Sequence, residues 1–168
     1  MPEVMLEGAH RYAVAANALM CYADLGAEAE VNAALGLVLL LKSVILEYGR
    51  HVEPGMNIYS LRSAAAEDLV LLYARIDRDI RVKLDLRAEL SIFVRKRGIA
   101  IGRYDESAGS SAHEDNELVY CLGRLIPKAV AHFKGMGSNN AWVCAYPQVR
   151  EAVELRTGIT QERAVAFV

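Results

Sequence analysis

The chain has 168 residues, 54% of them hydrophobic, and a formal net charge of −2. That length holds one domain with a buried core and leaves too little chain for two. The apolar share excludes disorder, and so small a charge selects no class of partner. Its three cysteines, Cys21, Cys121 and Cys144, form no CxxC pair, which argues against a disulfide scaffold and a zinc site and fits a reducing cytoplasm.

Four prolines in a chain rich in Ala and Leu favour helix over strand. Pro2 suits a first helical turn, where its missing N–H costs nothing. Apolar residues then recur at steps of three and four from Met5 to Ala23, predicting an amphipathic helix that stops near Gly26. A second helix is expected over 27–48. Glu28 and Glu30 lie in its first turn, and it is apolar nearly all round from Ala33 to Leu41, as a central buried helix would be. Lys42 ends that run short of the roughly 18–20 residues a membrane span needs. The opening MPEVMLEGAHRY has no basic stretch before an apolar one, so no secretory signal is expected.

Residues 50–59 carry a Pro-Gly turn signal and read as a loop. A third helix follows Ser60, with Leu61, Ala64, Ala65, Leu69, Leu72, Tyr73 and Ile76 on its apolar face. A fourth is expected over about 80–97, with Leu86, Leu90 and Phe93 inward. Nothing between Arg75 and Leu84 obliges a break, so the two can be continuous. A fifth runs from about Ala112 to Phe133, interrupted and bent by Gly123 and Pro127. GMGSNN at 135–140 reads as a linker, and Pro147 as the start of a sixth helix closed by Gly158. The expected fold is all-α, an up-and-down bundle of about five core helices in residues 1–134. The linker and short C-terminal helices of 135–168 pack on the same domain.

Charge is unevenly spread. Residues 1–74 hold four Lys+Arg and nine Asp+Glu, whereas residues 75–103 hold nine and four. A basic middle segment can face nucleic acid or an acidic partner. It can equally be a solvated helix face whose arginines pair locally with Asp77, Asp79, Asp85 and Glu89 at helical spacing. Just beyond it lies GRYDESAGSSAHED, residues 102–115. Ser111 and Glu114 form Ser-x-x-Glu, a capping box that explains half of this stretch as a helix start. A metal site on Asp105, Glu106, His113 and Glu114 is the alternative, but no metal motif accompanies it, and no metal or cofactor is expected. Arg103 either holds a phosphate or carboxylate or clamps Asp105 and Glu106. His10 and Tyr12 read as rim or core residues, and Trp142 and Tyr146 as anchors of the C-terminal segment, to the bundle or to a second subunit. His132, near a helix C-terminus, suits the dipole there.

The order of these pieces resembles the HEPN superfamily, small helical bundles frequent in bacterial defence and toxin systems. VNAALGLVLLLKSVILEYG, with Lys42, resembles its signature helix. NIYSLRSAAAEDLVLLY resembles its next helix start, and GRYDE an Arg-Tyr element before the last core helix. The resemblance spans roughly residues 8–134. It implies a helical homodimer, and in nuclease members an Arg followed after four to six residues by a His, cleaving RNA without metal. Here nine residues separate Arg103 from His113.

Two function classes follow. In the first, the chain is a non-catalytic HEPN-like module binding RNA, a nucleotide or a protein partner. Arg95, Lys96, Arg97 and Arg103 contact phosphate and Tyr104 stacks on a base. In the second it is a divergent metal-independent ribonuclease, with Arg103 stabilising the phosphorane charge and His113 as general acid/base. A structural interaction subunit is the third reading. All three are cytoplasmic and without a membrane.

Overall fold

The computed structural model describes residues 2–52, 68–97 and 116–148, and among them seven helices and no strand. The expected all-α bundle is what the chain forms. The core is α1 (Pro2–Leu19), α2 (Gly26–Val52) and α6 (Glu117–Gly135). Between α2 and α6 in sequence lie three short helices, α3 (Leu69–Arg75), α4 (Arg78–Lys83) and α5 (Leu90–Arg95), and α7 (141–148) follows α6.

The first two helices form an antiparallel hairpin. Leu6, Ala9, Ala13 and Ala16 recur on one face of α1 and are all buried. Small side chains there let the backbone of α2 approach closely. A Cβ placed on Gly8 would stand 3.2 Å from Leu39, and one on Gly36 would stand 3.0 Å from the Tyr12 Cβ and 3.3 Å from the Ala9 carbonyl. The same Gly36 position lies 2.5 Å from Leu122 of α6, so three helices meet at that point. Interiors packed to crystal-like density have no room for the extra atom.

α1 ends at Leu19, earlier than expected, and Gly26 opens α2 instead of closing α1. Tight turns reverse the chain between them: the N–H of Tyr22 reaches the Leu19 carbonyl at 3.0 Å and that of Leu25 the Tyr22 carbonyl at 3.1 Å. α2 continues through Val52, three residues into the expected loop; residues 53–67 lie outside the described residues. Gly26–Gly49 is long and apolar enough to cross a membrane, so Lys42 does not limit the run. In the fold 72% of its apolar window is buried, as in a core helix.

The expected 80–97 helix is divided. Ile76 and Asp77 are extended, and the Asp77 carboxylate accepts from the Asp79 N–H at 2.8 Å, capping α4. An aspartate able to cap ends one helix and starts the next. α4 closes on Asp85, whose φ is +54°. The Leu86 N–H bonds the Arg81 carbonyl at 2.9 Å and the Asp85 N–H bonds that of Val82 at 3.0 Å. α6 closes in the same way on Gly137, φ +83°, with Ser138 N–H on Phe133 and Gly137 N–H on Lys134, both 3.0 Å.

α6 runs through Gly123 and Pro127 without interruption. Proline removes one N–H, the one that would reach Gly123. Buried Leu122, Leu125, Ile126, Ala129, Val130 and Phe133 hold the helix across that gap. α7 begins at 141, not at Pro147, because the Asn140 side chain accepts from the N–H groups of Trp142 and Val143 at 3.0 and 3.2 Å.

Candidate functional site

Leu90 to Arg95 form α5, with Phe93 fully buried beneath and the basic residues at its C-terminal end. Arg95, Lys96 and Arg97 fan out to three other elements. Arg95 meets Glu117 of α6 at 2.5 Å, and Lys96 lies 3.8 Å from Glu30 of α2. Arg97 Nε donates to Asp68, the N-cap of α3, at 2.5 Å. Glu30 also accepts from the Leu118 N–H in the first turn of α6 at 3.2 Å, so a carboxylate from α2 caps α6. Three consecutive cations thereby tie α5 to α2, α3 and α6.

Asp68 is buried yet anionic in character. Burial pushes its carboxyl up, but the Arg97 hydrogen bond and the N–H groups of Leu71 and Val70 outweigh that and hold it below the usual carboxylate range. Nearby, Glu89 is buried and accepts from one Arg124 nitrogen on both oxygens, at 2.7 and 2.8 Å. Cys121 sits beside it. Burial first, then the Glu89 charge and hydrogen bond, push that thiol well above its ordinary range, so it has no nucleophilic character. All three cysteines are free; Cys21 and Cys144 are exposed.

The spacing of the acids in the basic segment suggests local pairing along the helix, but among the described residues they do not pair that way. Asp85 takes Lys128 at 3.0 Å, Glu89 takes Arg124, and Asp77 caps. Arg81 stacks over the Tyr73 ring at 5.0 Å. What remains is a different set of cations. Arg75, Arg78, Lys83 and Arg87 are exposed and carry no ion pair or side-chain hydrogen bond among the described residues. Val82, 72% exposed, stands among them, one helical turn from Arg78.

Arg103, Tyr104 and His113 lie outside the described residues, as do the Ser111/Glu114 capping box and the acids Asp105 and Glu106. Among the described residues no three His, Cys, Asp or Glu side chains gather as a metal site would need. His10 and His132 are placed. His10 packs on Trp142 and Tyr146, which anchor α7 to the bundle as expected. His132 is governed by burial, which lowers its pKa, reinforced by Lys83 and opposed by Glu47. A charged imidazolium on the helix dipole is therefore not its state at neutral pH.

Sequence reasoning missed Glu30 and Glu89 as buried carboxylates. The signal for Glu30 is its place at the edge of the apolar run of α2; Glu89 has none, since its partner is 35 residues away. Comparison of the chain with protein-family models, with curated proteins and with solved structures finds no match.

Proposed function

We propose that the chain is a non-catalytic, HEPN-like helical module of a bacterial defence or toxin-type system that binds RNA. Its phosphate contacts come from Arg75, Arg78, Lys83 and Arg87. The observation that carries this reading is that these four cations are exposed and uncommitted among the described residues, whereas Arg95, Lys96 and Arg97 are engaged by acids of the bundle. A cation with no internal partner can exchange its counterions for phosphate without breaking a fold contact. A second reading, an acidic protein partner, is favoured by exposed Val82 among the same cations.

The test is a titration of labelled single-stranded RNA at about 50 and about 200 mM salt. Four phosphate contacts give a logarithmic salt slope of roughly −3, or about fifty-fold weaker binding across that range. The R75E/R78E/K83E/R87E variant should lose binding, and its circular dichroism should match the parent. Unchanged affinity in that variant sinks the proposed surface. Metal-independent cleavage abolished by Arg103→Ala or His113→Ala would replace the binding module with the ribonuclease.

A further inference from the structure

α7 is held on α1 by three rings. The His10 centroid lies 5.6 Å from that of Trp142, tilted by 49°, and 5.5 Å from that of Tyr146, edge-on at 83°. Trp142 and Tyr146 are themselves 5.4 Å apart, so each ring touches the other two. Val143, between them in sequence, is fully buried, and Tyr146 nearly so. Among the described residues, the Nε2 atom of His10 is buried and has no hydrogen-bond partner.

We propose that His10 is a proton-controlled latch: its neutral ring holds α7 on α1, and proton uptake releases that helix. A neutral imidazole packs between aromatic rings as a mostly apolar plate. The imidazolium carries an N–H at both nitrogens, and the one at Nε2 would be enclosed with no acceptor. No carboxylate of residues 141–148 compensates the charge. Residues 141–148 contain no acid and no base; their titratable groups are Cys144 and Tyr146. From α1, Glu7 faces the ring and favours the charged form, but Arg11 already engages Glu7 at 2.6 Å. Burial is the larger influence, and the ring sits below the usual histidine value of 6.5.

The sign follows from linkage. With α7 undocked the ring regains its ordinary affinity for protons, so the undocked form binds more of them. Docking is fully favoured above about pH 6.5 and weakens as pH falls below that value, until the docked ring itself titrates. The helix that leaves carries Trp142, Val143 and Tyr146, and the α1 surface around His10 is uncovered.

Trp142 is the single tryptophan of the chain, so tryptophan fluorescence reports the docking of α7. The experiment follows emission maximum and acrylamide quenching from about pH 8 to about pH 5, with far-UV circular dichroism in parallel. The expected result is a red shift and a several-fold rise in quenching below about pH 6.5, with helicity largely kept. His10→Phe should remove the transition by staying docked, and His10→Gln, which takes up no proton, should also give a flat profile. The same transition in both variants overturns the latch, because another group would then drive it. So does a loss of intensity in the parent without greater acrylamide access, because the ring would then protonate in place.

Discussion

The α1–α2–α6 core and the 68–97 segment are built from different physics. In the core, long helices are locked by close packing of small and branched side chains: Ala9 and Gly36 on facing helices, Leu37, Leu40 and Leu41 along α2, Leu122 and Phe133 on α6. In 68–97, three helices of six or seven residues are too short to be stable on propensity. They are fixed at their ends instead, by Asp68 and Asp77 caps, the Asp85 turn and ion pairs reaching out to Glu117, Glu30, Arg124 and Lys128. Both regions bury apolar residues in one core, Leu72 and Phe93 among them; what differs is that the second fixes its short helices with polar groups placed one at a time. That contrast also explains why the free cations lie where they do. The pinned segment uses some of its cations as fastenings and leaves Arg75, Arg78, Lys83 and Arg87 exposed.

Volume changes should hurt most. Leu122→Ala empties a fully buried site where α6 meets α1 and α2, and should cost about 3 kcal/mol in denaturant unfolding. Gly36→Val forces three helices apart at the same junction and should cost about 2 kcal/mol or prevent folding. A loss under about 0.5 kcal/mol in either would mean that the core is loosely packed and the contrast false.

Polar fastenings come next. Arg124→Ala leaves the buried Glu89 carboxylate without its cation and should cost about 2 kcal/mol, discounted because the Arg124 side chain is 54% exposed. Asp68→Ala removes a helix cap and the Arg97 partner together, at about 1–2 kcal/mol. The Asp68 contribution has a defined pH sense. Its folded pKa lies below the usual value of 3.8, so the stabilisation is present above that value and is lost as pH falls through the folded pKa. Acid titration of the parent against Asp68→Asn checks it: the parent's advantage should shrink as pH drops through that window.

The smallest expected effects compare the two similar helix ends. Gly137→Ala meets no neighbour but must hold φ +83°, so it should cost about 1 kcal/mol from backbone strain alone. Asp85 already bears such strain at +54°. In a Lys128→Ala background, which removes its ion pair, Asp85→Gly should stabilise by about 0.5 kcal/mol. Thermal shifts of opposite sign, the Gly137→Ala loss the larger, would show that both turns are governed by the same backbone preference.

Much of the core could be read in advance because it depends on periodicity. The apolar faces of α1 and α6 and the all-round burial of α2 follow from residue spacing, and so do Leu69, Leu72, Ile76, Leu86 and Phe93 as inward residues. The division of 68–97 could not be read that way. Asp77 is one of five acids in that stretch, and only its backbone N–H contacts distinguish a cap from a surface carboxylate. The candidate site suffered most. Arg95, Lys96 and Arg97 are the densest basic run in the chain, and therefore the natural phosphate contacts on sequence grounds. Their partners Glu117, Glu30 and Asp68 come from elements 20 to 70 residues away, as in the 22-residue separation of Arg95 and Glu117.

The sequence by itself determined that this chain is all-helical, because hydrophobic spacing and helix propensity act over one or two turns. It determined which faces are apolar and marked Trp142 and Tyr146 as anchors, to the bundle or to a second subunit; their stacking on His10 decided for the bundle. Tertiary structure alone decided where α3, α4 and α5 divide, which carboxylates are buried, and which cations remain free. An ion pair forms between whichever charges the packed helices bring within about 4 Å. That distance is set by the docking of whole elements, and no local pattern encodes it.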